Sequence, residues 1–195
     1  ENKVTYPYDP DKALEVFAQA VWKDTDGDGI LDKNGKKLGL TLWHNQREIL
    51  AALGSSVQSD LREIGIDLDV RALQWAPYLQ KVRNNEAIFF RFGWQADFPD
   101  PDNFLWTLFS SANIGQDNST RYSNPKVDKL LEDARTTNDW SKREKYYQEA
   151  ESIIVDEAPW IFLENEVQYK IVHPYTKGQQ IHPLIQNVMK IVDFK

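Results

Sequence analysis

Cysteine is missing altogether, and the 195 residues hold a single methionine. The first absence excludes a disulfide framework, a thiolate metal site, a cysteine nucleophile and thiol redox chemistry. It leaves the compartment open, because many extracytoplasmic proteins also lack cysteine. Histidine is scarce: His44, His173 and His182 stand far apart, none in a metal-spaced pair, and each reads as a surface or packed side chain. Long apolar runs are lacking too. Stretches such as Ala87–Phe90 and Trp160–Leu163 fall far short of the roughly 20 residues that cross a bilayer, so the chain is not membrane-spanning. With 23 basic against 30 acidic side chains and a formal charge of −7, no basic cluster attracts phosphate backbones, and nucleic acid is excluded as a partner. No nucleophile elbow, phosphate loop or dinucleotide glycine motif occurs, and there is no internal repeat.

What is present is an ordinary globular composition, 41% hydrophobic and 27% charged, long enough for one sizeable domain or two small ones. The chain opens Glu1-Asn2-Lys3 with no initiating methionine and no signal-peptide pattern, which reads as a piece of a larger protein. Asp9 before Pro10 predicts a helix start, with Ala13, Leu14, Phe17 and Val21 on one face. Leu38, Leu40 and Leu42 alternate as a strand. Ile49, Leu50, Leu53, Val57, Leu61 and Ile64 then keep helical spacing up to Gly65, a suitable left-handed terminator. A strand at Ile66–Val70, a short helix from Trp75 to about Asn84 and a strand at Ala87–Phe92 follow. This alternation predicts an α/β centre with parallel pairing. Asn124-Pro125 opens a further helix, and Ser141 with Glu144 predicts a capping box for another that runs to about Asp156 and stops at Pro159. Trp160–Leu163 and Val167–Val172 are candidate strands returning to the sheet. The tail after Pro174, with Gly178 and Pro183, has little periodicity.

Two constellations bear on chemistry. Asp24, Asp26, Asp28 and Asp32 occupy positions 1, 3, 5 and 9 of a calcium-loop pattern with Gly29 at 6, but Gly35 stands where the bidentate glutamate belongs. The loop is either a structural calcium site or a solvated acidic turn. The second runs from Arg91 to Ser110, just after a predicted strand, where the edge of an α/β sheet presents its ligand crevice. It sets Trp94 and Phe98 beside Asp97, Asp100 and Asp102, with Pro99 and Pro101 restricting the chain. An aromatic wall beside a carboxylate suits an organic cation or a hydrogen-bonding ligand; alternatively Trp94 is core, Asp97 caps a turn and Asp102 caps the next helix. A carboxylate pair for glycoside chemistry could be drawn from Asp97, Asp100 or Glu164. Asn118-Ser119-Thr120 is a glycosylation sequon or simply a polar loop.

The order of motifs resembles the carboxy-terminal lobe of the oligopeptide- and dipeptide-binding class of extracellular solute-binding proteins, the receptors of ABC importers. The matching residues are Tyr8-Asp9-Pro10-Asp11-Lys12-Ala13, Leu61 to Ile66, Gly93-Trp94 through Asp97 to Asp100-Pro101-Asp102-Asn103-Phe104, Tyr122-Ser123-Asn124-Pro125 with Val127-Asp128, Arg143 with Tyr146 and Glu149, and Glu157-Ala158-Pro159. The resemblance covers nearly the whole chain. It implies one lobe of a type II periplasmic-binding fold, with a mixed sheet flanked by helices, in a fragment of a two-lobed receptor. Residues 1–172 would form the ligand-binding lobe and 173–195 the hinge and return segment, the hinge at Val172-His173-Pro174-Tyr175 and on to Gly178.

The implied function is non-catalytic: peptides are captured between closing lobes outside the cytoplasmic membrane, in a periplasmic or cell-surface protein, and passed to ABC-transporter permease subunits. No cofactor is required. Asp97 matches the aspartate that holds the ligand's α-ammonium, Trp94 and Trp75 match tryptophans lining side-chain pockets, and Arg91 matches a position that reaches the ligand's carboxylate in some members. Ile49 falls about where oligopeptide receptors can carry a histidine for that task. Other members take oligosaccharides, nickel complexes or opines, and seven tryptophans also suit stacking on sugars. A carboxylate-pair enzyme and a calcium-stabilised interaction module are the readings from other classes.

Overall fold

The computed structural model describes residues 6–165, 167, 169 and 171–177, and the backbone of 193–194. Two compact units form: one from residues up to Gly93 together with Ala112–Tyr122, the other from Trp94–Ser111 together with the chain from Ser123 onward.

In the first unit, α1 (Pro10–Gln19) starts as the dipeptide dictates. The Asp9 carboxylate accepts from the Lys12 amide at 2.9 Å, and Pro10 has no amide to lose. Its expected apolar face is only partly used: Ala13 and Phe17 are half-buried and Leu14 is exposed. Val21 lies past the helix end at φ 64°, exposed rather than on that face, because the chain has already turned out of helical geometry. An acidic loop leads to β1 (Asp32–Lys33) and β2 (Lys36–Lys37), an antiparallel ribbon turned by Asn34 and Gly35, both at positive φ.

Next come β3 (Gly39–Asn45), α2 (Glu48–Glu63), β4 (Asp67–Leu73), α3 (Trp75–Arg83) and β5 (Phe89–Phe90). The strands are parallel in the order β4-β3-β5, with Leu42 opposite Val70 and Phe89. Parallel neighbours need crossovers, and the two helices supply them. The antiparallel pairing expected of a mixed sheet is confined to short ribbons outside this one. Leu50 and Gly54 of α2 are buried, and Gly54 lies so close to the sheet that a Cβ there would meet Val70 Cγ1 at 2.7 Å. Gly65 terminates the turn at φ 80° as anticipated. Tyr78 and Val82 of α3 pack with Ala87, against Trp43, Leu73, Phe90 and Phe92. The strand expected over 87–92 pairs along Phe89–Phe90, with the Arg91 amide still donating to the Trp43 carbonyl at 2.9 Å.

In the second unit, α4 (Asp102–Phe109), α5 (Pro125–Thr136) and α6 (Trp140–Glu157) bury Leu108, Phe109, Val127, Leu130, Leu131, Ala134, Tyr147, Ala150 and Ile154. Asn124 caps α5 by accepting from the Lys126 and Val127 amides. The cap of α6 differs from the predicted box. Asp139, not Ser141, is the N-cap: its carboxylate accepts from the Ser141 amide at 3.0 Å and Trp140 opens the helix, because an aspartate two residues upstream competes successfully for the free amides. The helix stops on Ala158 in the left-handed region, before Pro159. No strand lies among the described residues of 160–172, which corrects that expectation. Ile161, Phe162, Leu163, Val167, Tyr169 and Ile171 are all exposed, and an apolar run becomes a strand only where a neighbouring edge meets it. Finally β6 (Thr176–Lys177) pairs antiparallel with β7 (Asp193–Phe194). Gly178, His182 and Pro183 lie outside the described residues.

Candidate functional site

The loop from Trp94 to Pro101 enters α4 in the helical unit, and with the first helical residue it carries three acids with different surroundings. Asp100 stands just before Pro101, the N-cap of the helix: its Oδ1 accepts from the Asp102 amide at 2.9 Å and from Arg143 Nη2 at 3.0 Å. Arg143 also donates to the Ala134 carbonyl and the Tyr147 hydroxyl, tying the loop to α5 and α6. Asp102 is the first helical residue rather than the cap. It pairs with Arg135 at 3.3 Å, while Arg135 lies over the Trp106 ring at 4.2 Å. Burial pushes the Asp102 carboxyl above its ordinary value, the Arg135 charge opposes that, and Asp100 adds to it. Asp97 alone is exposed, and among the described residues its carboxylate makes no hydrogen bond or ion pair.

What fixes the loop is a residue that sequence reasoning quoted without assigning a role. Asn103, buried in the first turn of α4, accepts at Oδ1 from both Trp94 Nε1 and the Asp97 amide, each at 3.0 Å. An asparagine after an aspartate at a helix start reads as ordinary first-turn polarity, so only the fold exposes this bridge. Phe98 remains largely exposed beside Asp97. An open groove of about 560 Å³ runs next to the loop, lined by Pro99, Phe104, Trp140, Tyr147, Glu144 and Glu151 among others; none of the five expected ligand-binding residues lines it.

Trp75 and Arg91 belong to the other unit. Trp75, at the start of α3, is 55% exposed, and its ring stacks on Phe92 with centroids 6.0 Å apart. Tyr78, fully buried beneath it, donates its hydroxyl to the Arg91 carbonyl at 2.5 Å, and burial raises the phenol far above its usual range. Nη1 of the Arg91 guanidinium lies 3.3 Å from where a Cβ on Gly93 would stand. Ile49, in the first turn of α2, is exposed. His44 is buried, with Nδ1 against the Asn45 carbonyl, and His173 is exposed and stacked on Tyr175.

The acidic loop brings Asp24, Asp26 and Asp28 together, their oxygens within 4.8 Å of one another. Asp32 is turned elsewhere, buried and accepting from the Thr25 amide and hydroxyl at 2.8 Å. Asp24 accepts from the Gly27 and Gly29 amides. The Lys37 ammonium bonds Asp28 and approaches Asp26 at 3.7 Å, and that hydrogen bond holds the Asp28 carboxyl below its usual range. Asn118 of the sequon is fully buried, its amide paired with both the N–H and the C=O of Tyr122.

No helix among the described residues is long and apolar enough to cross a membrane. Residues 1–116 match the family model described as bacterial extracellular solute-binding proteins, family 5 Middle. The oligopeptide-binding protein AppA of Bacillus subtilis is 32% identical over 186 residues, 91% of this chain and 33% of that protein. Heme-binding protein A of Haemophilus influenzae is 31% identical over 179 residues, 89% of this chain and 30% of the relative. The solved structure of AppA with a nonapeptide covers all of this chain and 40% of its own, with a TM-score of 0.82 and 28% identity. This chain therefore spans about a third of the length of the curated relatives it matches, and its architecture is that of one lobe of a type II periplasmic-binding protein. On the family match and these likenesses, the chain belongs to the bacterial extracellular solute-binding proteins, family 5.

Proposed function

We propose that this chain is the part of an ABC-importer receptor that closes on a peptide, outside the cytoplasmic membrane, and that Asp97 receives the peptide's free α-ammonium. One observation carries the reading. Of the three acids in the 97–102 loop, Asp100 and Asp102 are matched by Arg143 and Arg135, while the Asp97 carboxylate has no partner among the described residues. A carboxylate sealed from water on closure is favourable only with a cation brought by the ligand. Trp94, Phe98 and Trp75 supply apolar walls for side chains, and Arg91 is the candidate partner for the ligand's carboxylate. Hinge motion is assigned to Val172–Tyr175, and the permease subunits are the receiving partner.

The test uses the two-lobed receptor and an alanine series from three to five residues, free and N-acetylated, by calorimetry. Free peptides bind, acetylated ones bind much more weakly, and Asp97→Asn removes the difference; equal binding of the two forms sinks the role of Asp97. The enzyme reading is weaker, because Asp100, one of the carboxylates such a pair would draw on, is already engaged by Arg143 and a backbone amide. The heme-binding relative keeps a different solute as an outcome of the same titrations. For the acidic loop, the geometry favours Lys37 as the internal cation, so calcium would have to displace it. A melting temperature that rises in millimolar calcium, and rises further in Lys37→Ala, would instead establish the metal.

A further inference from the structure

We propose that Asn103 is the positioning residue of the ligand loop, setting the Trp94 indole and the Asp97 backbone with one buried oxygen. The proposal rests on the reading of Trp94 and Asp97 as ligand-binding groups given above.

A carboxamide oxygen has two lone pairs, and Asn103 Oδ1 has two donors: Trp94 Nε1 and the Asp97 amide, both at 3.0 Å. These donors sit three residues apart in a stretch with no helix or strand of its own, so nothing periodic holds their relative position. The oxygen that joins them belongs to a well-anchored post. Asn103 is 3% exposed. Its helix is held by the Arg135 contacts to Asp102 and Trp106, by the Arg143 bond to Asp100, and by burial of Leu108 and Phe109.

The consequence is a fixed distance between an aromatic wall and the Cα from which the Asp97 carboxylate projects. An ammonium between them meets both in one geometry, and the ordering has been done before the ligand arrives. Chemistry restricts the residue as well. Leucine has the right size and no acceptor, glutamine moves the oxygen by one methylene, and aspartate keeps the acceptor at nearly the same place.

The test is made in the two-lobed receptor with Asn103→Leu and Asn103→Asp. The Trp94 indole N–H resonance is assigned through Trp94→Phe, and dissociation rates are read for the free and N-acetylated alanine series. Asn103→Leu should shift that resonance towards a non-hydrogen-bonded indole, speed dissociation of free peptides about tenfold, roughly the worth of one or two hydrogen bonds, and shrink the preference for free over acetylated ligand. Asn103→Asp should keep both the hydrogen-bonded indole resonance and the preference. A purely structural asparagine would lower the melting temperature of either variant without moving the resonance or the preference. A folded Asn103→Leu receptor with an unchanged indole signal and unchanged preference overturns the proposal. So does a folded Asn103→Asp receptor that loses both, and this second arm decides if the leucine variant does not fold. Should the unmutated receptor show no preference, the reading of Asp97 fails instead, while the indole shift still decides whether Asn103 holds the loop.

Discussion

Asp97, Asp100 and Asp102 share a residue type and a loop, yet they differ in what surrounds them. The proton of Asp102 is coupled to folding. Its carboxyl is pushed up from the ordinary 3.8 by burial, so below that value both states are protonated and it contributes no pH dependence. As pH rises, the unfolded chain loses its proton first while the folded chain keeps it. The folded state is therefore penalised increasingly as pH climbs through the window between the two values. Relative to Asp102→Asn, the unmutated chain should lose denaturant midpoint as pH is raised from 3 to 7; a parallel pair of curves would show the group to be uncoupled. Asn118 supplies a second case. It is buried with both amide atoms on Tyr122, so Asn118→Ala should cost about 1–3 kcal/mol in a chemical melt. At this scale the sequence was partly legible. The Gly-Trp-x-x-Asp spacing pointed to Trp94 and Asp97, but nothing in residue type distinguished Asn103 from any polar group in a helix's first turn. That Pro101, and neither Asp100 nor Asp102, would be the N-cap of α4 depended on a backbone turn that spacing alone does not define.

Among the elements, the βαβαβ order of the sheet unit follows from alternation and helical spacing, and the structure reproduces it from β3 to β5. Periodicity reports which face an element buries, so it succeeds where burial is one-sided. It fails at 160–172, because an apolar run carries no information about whether another backbone edge lies beside it. It also shortens β5, where the run over 87–92 overstates the two paired residues. Helix α2 offers a test in which two effects oppose each other. Replacing an interior helical glycine by alanine usually stabilises by about 1 kcal/mol. At Gly54 the new Cβ would stand 2.7 Å from Val70 Cγ1, and overpacking of that kind typically costs about 1–3 kcal/mol. Gly54→Ala is therefore expected to lower the melting temperature, and Gly54→Ala with Val70→Ala to recover part of the loss. If the single variant melts higher than the parent, the helix is not held against the sheet as described.

For the whole molecule, the relevant fact is that the chain spans about a third of its relatives. On the proposed reading, a peptide held between two halves takes main-chain hydrogen bonds and burial from both, so this chain alone should bind the alanine series at least roughly tenfold more weakly than the two-lobed receptor. Equal affinity in the two forms would mean that the peptide site is complete within this chain. The resemblance of ordered motifs made the lobe identifiable from sequence, because those motifs recur in a fixed order. It left the acidic loop undecided, since a calcium-type spacing and a lysine-neutralised turn look alike until Lys37 is seen against Asp26 and Asp28.

The enclosed carboxamide of Asn118 has a further consequence for production in a eukaryotic secretory host. An oligosaccharide transferase needs an accessible asparagine, and the finished fold withdraws this one. Any sugar found at Asn118 would thus count chains caught before the loop shut, making glycan occupancy a clock for folding rather than a mark of the mature surface.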